Sequence, residues 1–160
     1  MTTPSLNAIP PRIPADRVDL PASYRFAAWR GMGGHCPRCG GAALFRAWLK
    51  PVDHCSACGQ DWSLQRADDF PAYISIFITG HVLAPLMILL IGEFDWSPWA
   101  TLALVLPLAS AMMLGLLQPA KGAVLATMWW TGMGGFTKER APSAAPSPAS
   151  ALPATRADQP

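Results

Sequence analysis

From 70 to 92, and again from 96 to 120, the chain contains no Asp, Glu, Lys or Arg. Two such runs within 160 residues restrict the available folds, because so short a chain has too little other sequence to cover two uniformly apolar helices. Residues 72–92 (AYISIFITGHVLAPLMILLIG) number 21 and would make a helix of about 32 Å; residues 99–117 (WATLALVLPLASAMMLGLL) number 19 and would make one of about 28 Å. A bilayer hydrocarbon core is about 30 Å thick, so both runs predict transmembrane spans. Each holds a proline, Pro85 and Pro107, which is tolerated in lipid where neighbouring groups satisfy the freed carbonyl. The composition agrees: 14% of residues are charged and 51% hydrophobic, against about 25% charged in soluble domains. That argues against a simple soluble enzyme, and a net charge of +2 on dispersed basic residues gives no footprint for nucleic acid.

Orientation follows from the basic residues. Eight Lys and Arg precede the first run, none lies in 93–98, and four follow the second. The positive-inside rule then places both termini in the cytoplasm and makes 71–118 an antiparallel transmembrane hairpin. Glu93 and Asp95 fall in the far turn, flanked by Trp96 and Trp99 at the interface. After Gln118-Pro119, residues 119–135 are expected to form a separate short interfacial helix, with Val124, Leu125, Met128 and Trp129 on one face and Trp129 and Trp130 as its anchor. Residues 1–23 are Pro-rich without apolar periodicity and lack the pattern of a cleaved secretory signal. Residues 136–160 are Ala/Pro/Ser-rich, and both ends are expected to be disordered.

The polar segment 24–70 contains all four cysteines, in CPRCG at 36–40 and CSACG at 55–59. The spacing C-x2-C-x15-C-x2-C is that of a four-thiolate metal site built from Cys36, Cys39, Cys55 and Cys58. Two intervening residues allow a tight turn presenting both sulfurs to one ion, and Gly40 and Gly59 supply positions where a left-handed backbone is cheap. Zinc, which four thiolates surround completely, is the expected structural metal; iron accepts the same ligands. A thioredoxin-like redox role lacks the surrounding βαβ pattern, and haem attachment lacks a histidine after either pair. Residues 42–49 can return as a strand, giving a zinc-ribbon-like β-hairpin head. His35 and His54 precede the pairs as neighbours of the site rather than ligands.

Two other places invite a chemical role. His81 lies near the middle of the first span, where ionisable side chains are costly, and a neutral histidine hydrogen-bonded across the hairpin is the expected state. Asp68 and Asp69 fit a solvated helix cap better than a catalytic pair. No Ser/His/Asp set, phosphate loop or HExxH occurs, so no enzymatic activity is expected.

The order of these features resembles DUF983, a family of small bacterial membrane proteins. The resemblance rests on CPRCG followed by Leu44-Phe45 and Leu49-Lys50, the second CxxCG followed by Asp61, and the Asp69-Phe70-Pro71-Ala72 junction. It continues with a short loop containing Glu93 and Pro98-Trp99, and with Leu117-Gln118-Pro119-Ala120-Lys121. The family pattern has glycines around the junction acid and an arginine where Gln118 stands. The resemblance implies a multi-pass protein of the bacterial inner membrane with a metal knuckle. It also suggests, from the family's frequent proximity to terminal oxidase genes, an accessory role in assembling a respiratory complex. The partners expected are the lipid bilayer and another membrane protein, with homo-oligomerisation open. A thiol-redox or metal-handling protein and a small oligomeric pore lined by His81 are the alternatives.

Overall fold

The computed structural model describes residues 11–65, 67 and 69–139. The elements run α1 (Tyr24–Met32), β1 (Phe45–Ala47), β2 (Lys50–Pro51), α2 (Phe70–Gly92) and α3 (Pro98–Thr131), with single 3-10 turns at Ala15–Arg17 and Met133–Gly135. Two long apolar helices thus follow a cysteine-bearing antiparallel hairpin. The hairpin is short, pairing Phe45 with Pro51 and Ala47 with Lys50 around a bulge. Single backbone bonds extend it at the base: Leu44 N–H donates to Gly34 O and Val52 N–H to Leu44 O.

Helix α2 starts with Pro71 in its first turn, where a missing N–H costs nothing. Asp69 occupies the cap position but its side chain makes no cap bond; its carbonyl instead accepts from Ala72 and Tyr73 N–H. Asp68 lies outside the described residues. Buried Pro71, Ser75, Thr79, Leu83 and Leu90 recur down one side of α2, and Thr101 and Val105 are buried in the first turns of α3. Ser75 and Thr79 on that side are the small polar residues usual where helices join without a hydrophobic driving force between them. The remaining faces are open: Phe77 is 64%, Ile88 74% and Trp99 81% exposed. Only 22% of the most apolar window of α2 and 6% of that of α3 is buried within the protein, which separates them from the core helices of a soluble domain. Both are long and apolar enough to cross a membrane.

Helix α3 corrects one expectation. It does not end at Gln118; it runs without a break for 34 residues through Pro107 and Pro119 to a left-handed Gly132, so the expected separate interfacial helix is its last third. Pro119 removes one backbone bond, but the turns that follow are held from outside by packing. Ala120, Gly122, Val124, Leu125, Ala126 and Trp129 are all buried there. Trp129, expected as an interfacial anchor, is 1% exposed.

The packing partner is α1, a helix the sequence did not announce. It lies on α3 with Ala27 and Gly31 inward, and a Cβ on Gly31 or Gly122 would fall inside the other residue's carbonyl group. Only glycine at both positions permits so close a crossing. The core then continues from Ala27, Leu125, Ala126 and Trp129 into Leu44, Trp62 and the cysteines, so the head is fused to α3.

The chain ends also differ from expectation where they are described. Residues 11–23 cross the head, with Ile13 N–H donating to Cys58 O at 3.0 Å. After α3 the chain turns back, and Phe136, 4% exposed, packs at a tilt against Trp62, ring centres 5.5 Å apart. Residues 1–10 and 140–160 lie outside the described residues.

Candidate metal centre

Each cysteine pair forms a turn closed by matching bonds. Cys36 N–H donates to Ala42 O (2.8 Å) and Gly40 N–H to Cys36 O (2.7 Å); Cys55 N–H donates to Gln60 O and Gly59 N–H to Cys55 O (both 2.9 Å). Gly40 (φ 69°) and Gly59 (φ 67°) are both left-handed, the conformation their place in the motif implied. At Gly59 a side chain would also strike the backbone of Pro11 and Arg12, which pass directly over the turn.

The two turns face each other and bring Cys36, Cys39, Cys55 and Cys58 into one cluster, every sulfur within 4.8 Å of the others. The Cys36–Cys58 and Cys39–Cys55 sulfurs are 3.9 and 3.7 Å apart. Four thiolates about 2.3 Å from one ion at tetrahedral angles have sulfurs about 3.8 Å apart, so the cluster fits a four-thiolate centre. Among the described residues the free cysteines are these four.

The sulfurs depend on one another electrostatically. Contacts with Cys39, Cys55 and Cys58, followed by burial, push the Cys36 thiol well above its ordinary value, while bonds from Cys36, Cys39 and Cys55 hold Cys58 well below it. Cys55 is lowered to about 6, first by Cys36 and then by Cys39. Four sulfurs packed this closely do not all ionise unaided; a cation among them would provide the charge that makes every one a ligand.

Three arginines surround the cysteine turns. Arg38, inside the first pair, is fully buried, and its guanidinium donates to Cys58 O (3.3 Å), Ile13 O (2.6 Å) and both carboxylate oxygens of Glu139 (2.6 and 3.2 Å). Arg12 donates to the same carboxylate at 2.8 Å. Arg30 donates to Asp19 O and Arg38 O, with its side chain against Gly40. A divalent ion held by four thiolates would carry a net charge of about −2, and Arg38, whose guanidinium reaches Cys58 O, is the cation placed to offset part of it. Sequence reasoning missed both the Arg38–Glu139 pair and α1. The one available signal was an arginine between two ligands, and nothing local pointed to Glu139.

The remaining candidates stay apart from the cluster. His35 forms a single bridge with Ala43; His54 pairs with Asp61, Nε2 to Oδ1 at 3.8 Å. His81 does not reach across the hairpin: it is exposed, and its Nδ1–H donates to Phe77 O of its own helix at 2.8 Å. Glu93 and Asp95 lie exposed in the α2–α3 turn, where Asp95 takes a positive φ of 52°.

Fold and site together define a membrane-type helical hairpin carrying a four-cysteine knuckle. Residues 45–129 match the family described as protein of unknown function (DUF983), and the chain belongs to that family. The match takes in the second cysteine pair, α2 and nearly all of α3; the first pair lies just ahead of it. No curated protein and no solved structure matches the chain.

Proposed function

We propose that this DUF983 protein is a zinc-bearing, two-span protein of the bacterial inner membrane with both termini cytoplasmic. In this reading it serves as a non-enzymatic accessory or assembly factor for a membrane complex, the respiratory oxidase being the complex the family resemblance suggests. The observation that carries the reading is closure of the centre. Four thiolates fill a tetrahedral sphere, and a catalytic zinc needs an open position for water or substrate. A closed centre fused to a helix gives a rigid surface, which suits recognition better than turnover. Zinc is favoured over iron because nothing in a structural role calls for redox chemistry.

The test is copurification. A tagged copy at native level, extracted in mild detergent beside Cys36→Ser, should bring down one membrane complex in stoichiometric amount and lose it in the variant. Recovery of the protein alone would overturn the accessory role. Elemental analysis of the anaerobically purified protein should find one zinc per chain, and iron there would reassign the metal. A second reading, an oligomeric pore, is favoured by one observation: His81 points away from α3, and ionisable residues inside membranes generally face a protein interior or a water-filled path. His81→Ala would then abolish a flux and leave the oligomer intact.

A further inference from the structure

Helix α1 has one covered side and one bare side. Ala27 and Gly31 are buried against α3, while Phe26, Trp29 and Met32 are 63%, 75% and 43% exposed. Two exposed aromatics within a nine-residue helix are a substantial apolar area to leave in water.

Contacts at both ends fix the height of α1 along α3. The Tyr24 hydroxyl bonds Thr127 Oγ1 at 2.9 Å, and Gly31 meets Gly122, so α1 runs antiparallel to α3 with its C-terminal end toward the apolar body. Helix α2 begins at the same level. Phe70 and Ile74 share one cavity of about 540 Å³ with Tyr24, Ala123, Val124 and Thr127, the last three one, two and five residues along α3 from Gly122. Trp29 and Met32 therefore stand level with the first turn of α2, where Phe70 and Tyr73 are 61% and 67% exposed. The charge is one-sided as well: α1 carries Arg25 and Arg30 and no acid, Arg25 is exposed, and Lys121 adjoins Gly122 on α3.

We propose that α1 is an interfacial helix that lays Phe26, Trp29 and Met32 into the headgroup–acyl boundary of the head-side leaflet, with Arg25 reaching lipid phosphates. The inference rests on the reading of α2 and α3 as membrane spans. Continuity selects lipid as the occupant, since the bare face of α1 extends the apolar belt of α2 at the level where that belt starts. Aromatic and methionine side chains beside arginine, without acids, match the composition that binds anionic bilayer surfaces.

The experiment uses the full-length protein in vesicles of equal parts phosphatidylglycerol and phosphatidylethanolamine, with photoreactive benzoylphenylalanine placed singly at position 29, 88 or 48. All three native side chains are more than half exposed, so replacement leaves the core intact. Position 88, on the outer face of α2, reports on the spans; position 48, at the tip of the β-hairpin, reports on water. Phospholipid adducts at 29 should come within about twofold of those at 88 and exceed those at 48 by about tenfold. Adducts at 29 to protein, or a lipid yield no higher than at 48, would overturn the inference while strong lipid labelling at 88 leaves the spans standing. Absence of lipid adducts at 88 as well would remove both.

Discussion

At the residue scale the most consequential contact joins two distant parts of the chain. Arg38, fully buried, and Glu139, partly buried, are 101 positions apart and meet in an ion pair that ties the first cysteine turn to the segment after α3. Removing one partner of such a pair leaves a charge without its counter-ion. Glu139→Ala should therefore lower head stability by about 3 kcal/mol, whereas Arg12→Ala, at a half-exposed contact with the same carboxylate, should cost less than about 1 kcal/mol. Denaturant titration of the metal-loaded protein, followed by intrinsic tryptophan fluorescence, checks both values. Asp61 gives a prediction in pH. Partial burial pushes its carboxyl up, but bonds from Ser63 Oγ–H and N–H, with His54 nearby, outweigh that and hold it below the usual carboxylate range. A depressed folded-state pKa adds stability that is complete above about pH 4 and is lost as pH falls through the lower folded value. The advantage of the native protein over Asp61→Asn should accordingly be constant at neutral pH and vanish in acid; an advantage that grows on acidification would reverse the sign. The cysteine turns were legible because their geometry is local: two residues between ligands and a glycine after them specify the turn. Arg38–Glu139 was not, because nothing in either neighbourhood encodes the other.

Among the elements, the crossing of α1 and α3 depends on two glycines with no room for a side chain. Gly122→Leu should separate the helices and cost about 3 kcal/mol through overpacking, while Gly115→Ala on the same helix, with open space at its Cβ, should be neutral or slightly stabilising. Limited proteolysis within 24–34 distinguishes the two outcomes, and resistance of Gly122→Leu equal to that of the native protein would show the crossing to be dispensable. Both long helices were readable from charge-free length. The continuation of α3 was not, because Gln118-Pro119 carries a local stop signal that packing overrides. Helix α1 was hidden for a related reason: YRFAAWRGM has apolar residues on its buried and bare sides alike, so no period marks it as a helix.

For the whole molecule, the metal is expected to hold more than the cysteines. Ile13 bonds to Cys58 and Glu139 to Arg38, so both flanking segments are latched onto the cysteine turns. Removing the ion with a strong chelator should loosen the turns and expose Arg17 and Lys138 to trypsin together, with re-metallation restoring protection of both. Cleavage at one site alone would show that the latch does not act as a unit. The membrane reading carries its own expectation: a cysteine placed at Asp95 should react with an impermeant thiol reagent from the side of the membrane opposite one placed at Lys138. Labelling of both from one side would rule out the hairpin topology.

Helix α3 has 34 residues against 23 in α2, an excess of eleven, or about 16 Å of helix past its neighbour. The cysteine head is bolted to that overhang by a continuous core, so it has no swivel. The overhang thus behaves as a graduated rod that sets both the elevation and the bearing of the head. Inserting one residue ahead of the contact patch, between Gly115 and Gln118, would raise the patch by about 1.5 Å and swing it by about 100°. Under the docking role proposed above, a protein engaging this head would meet it at a single angular phase, and the length of α3 would count as much as the surface it carries.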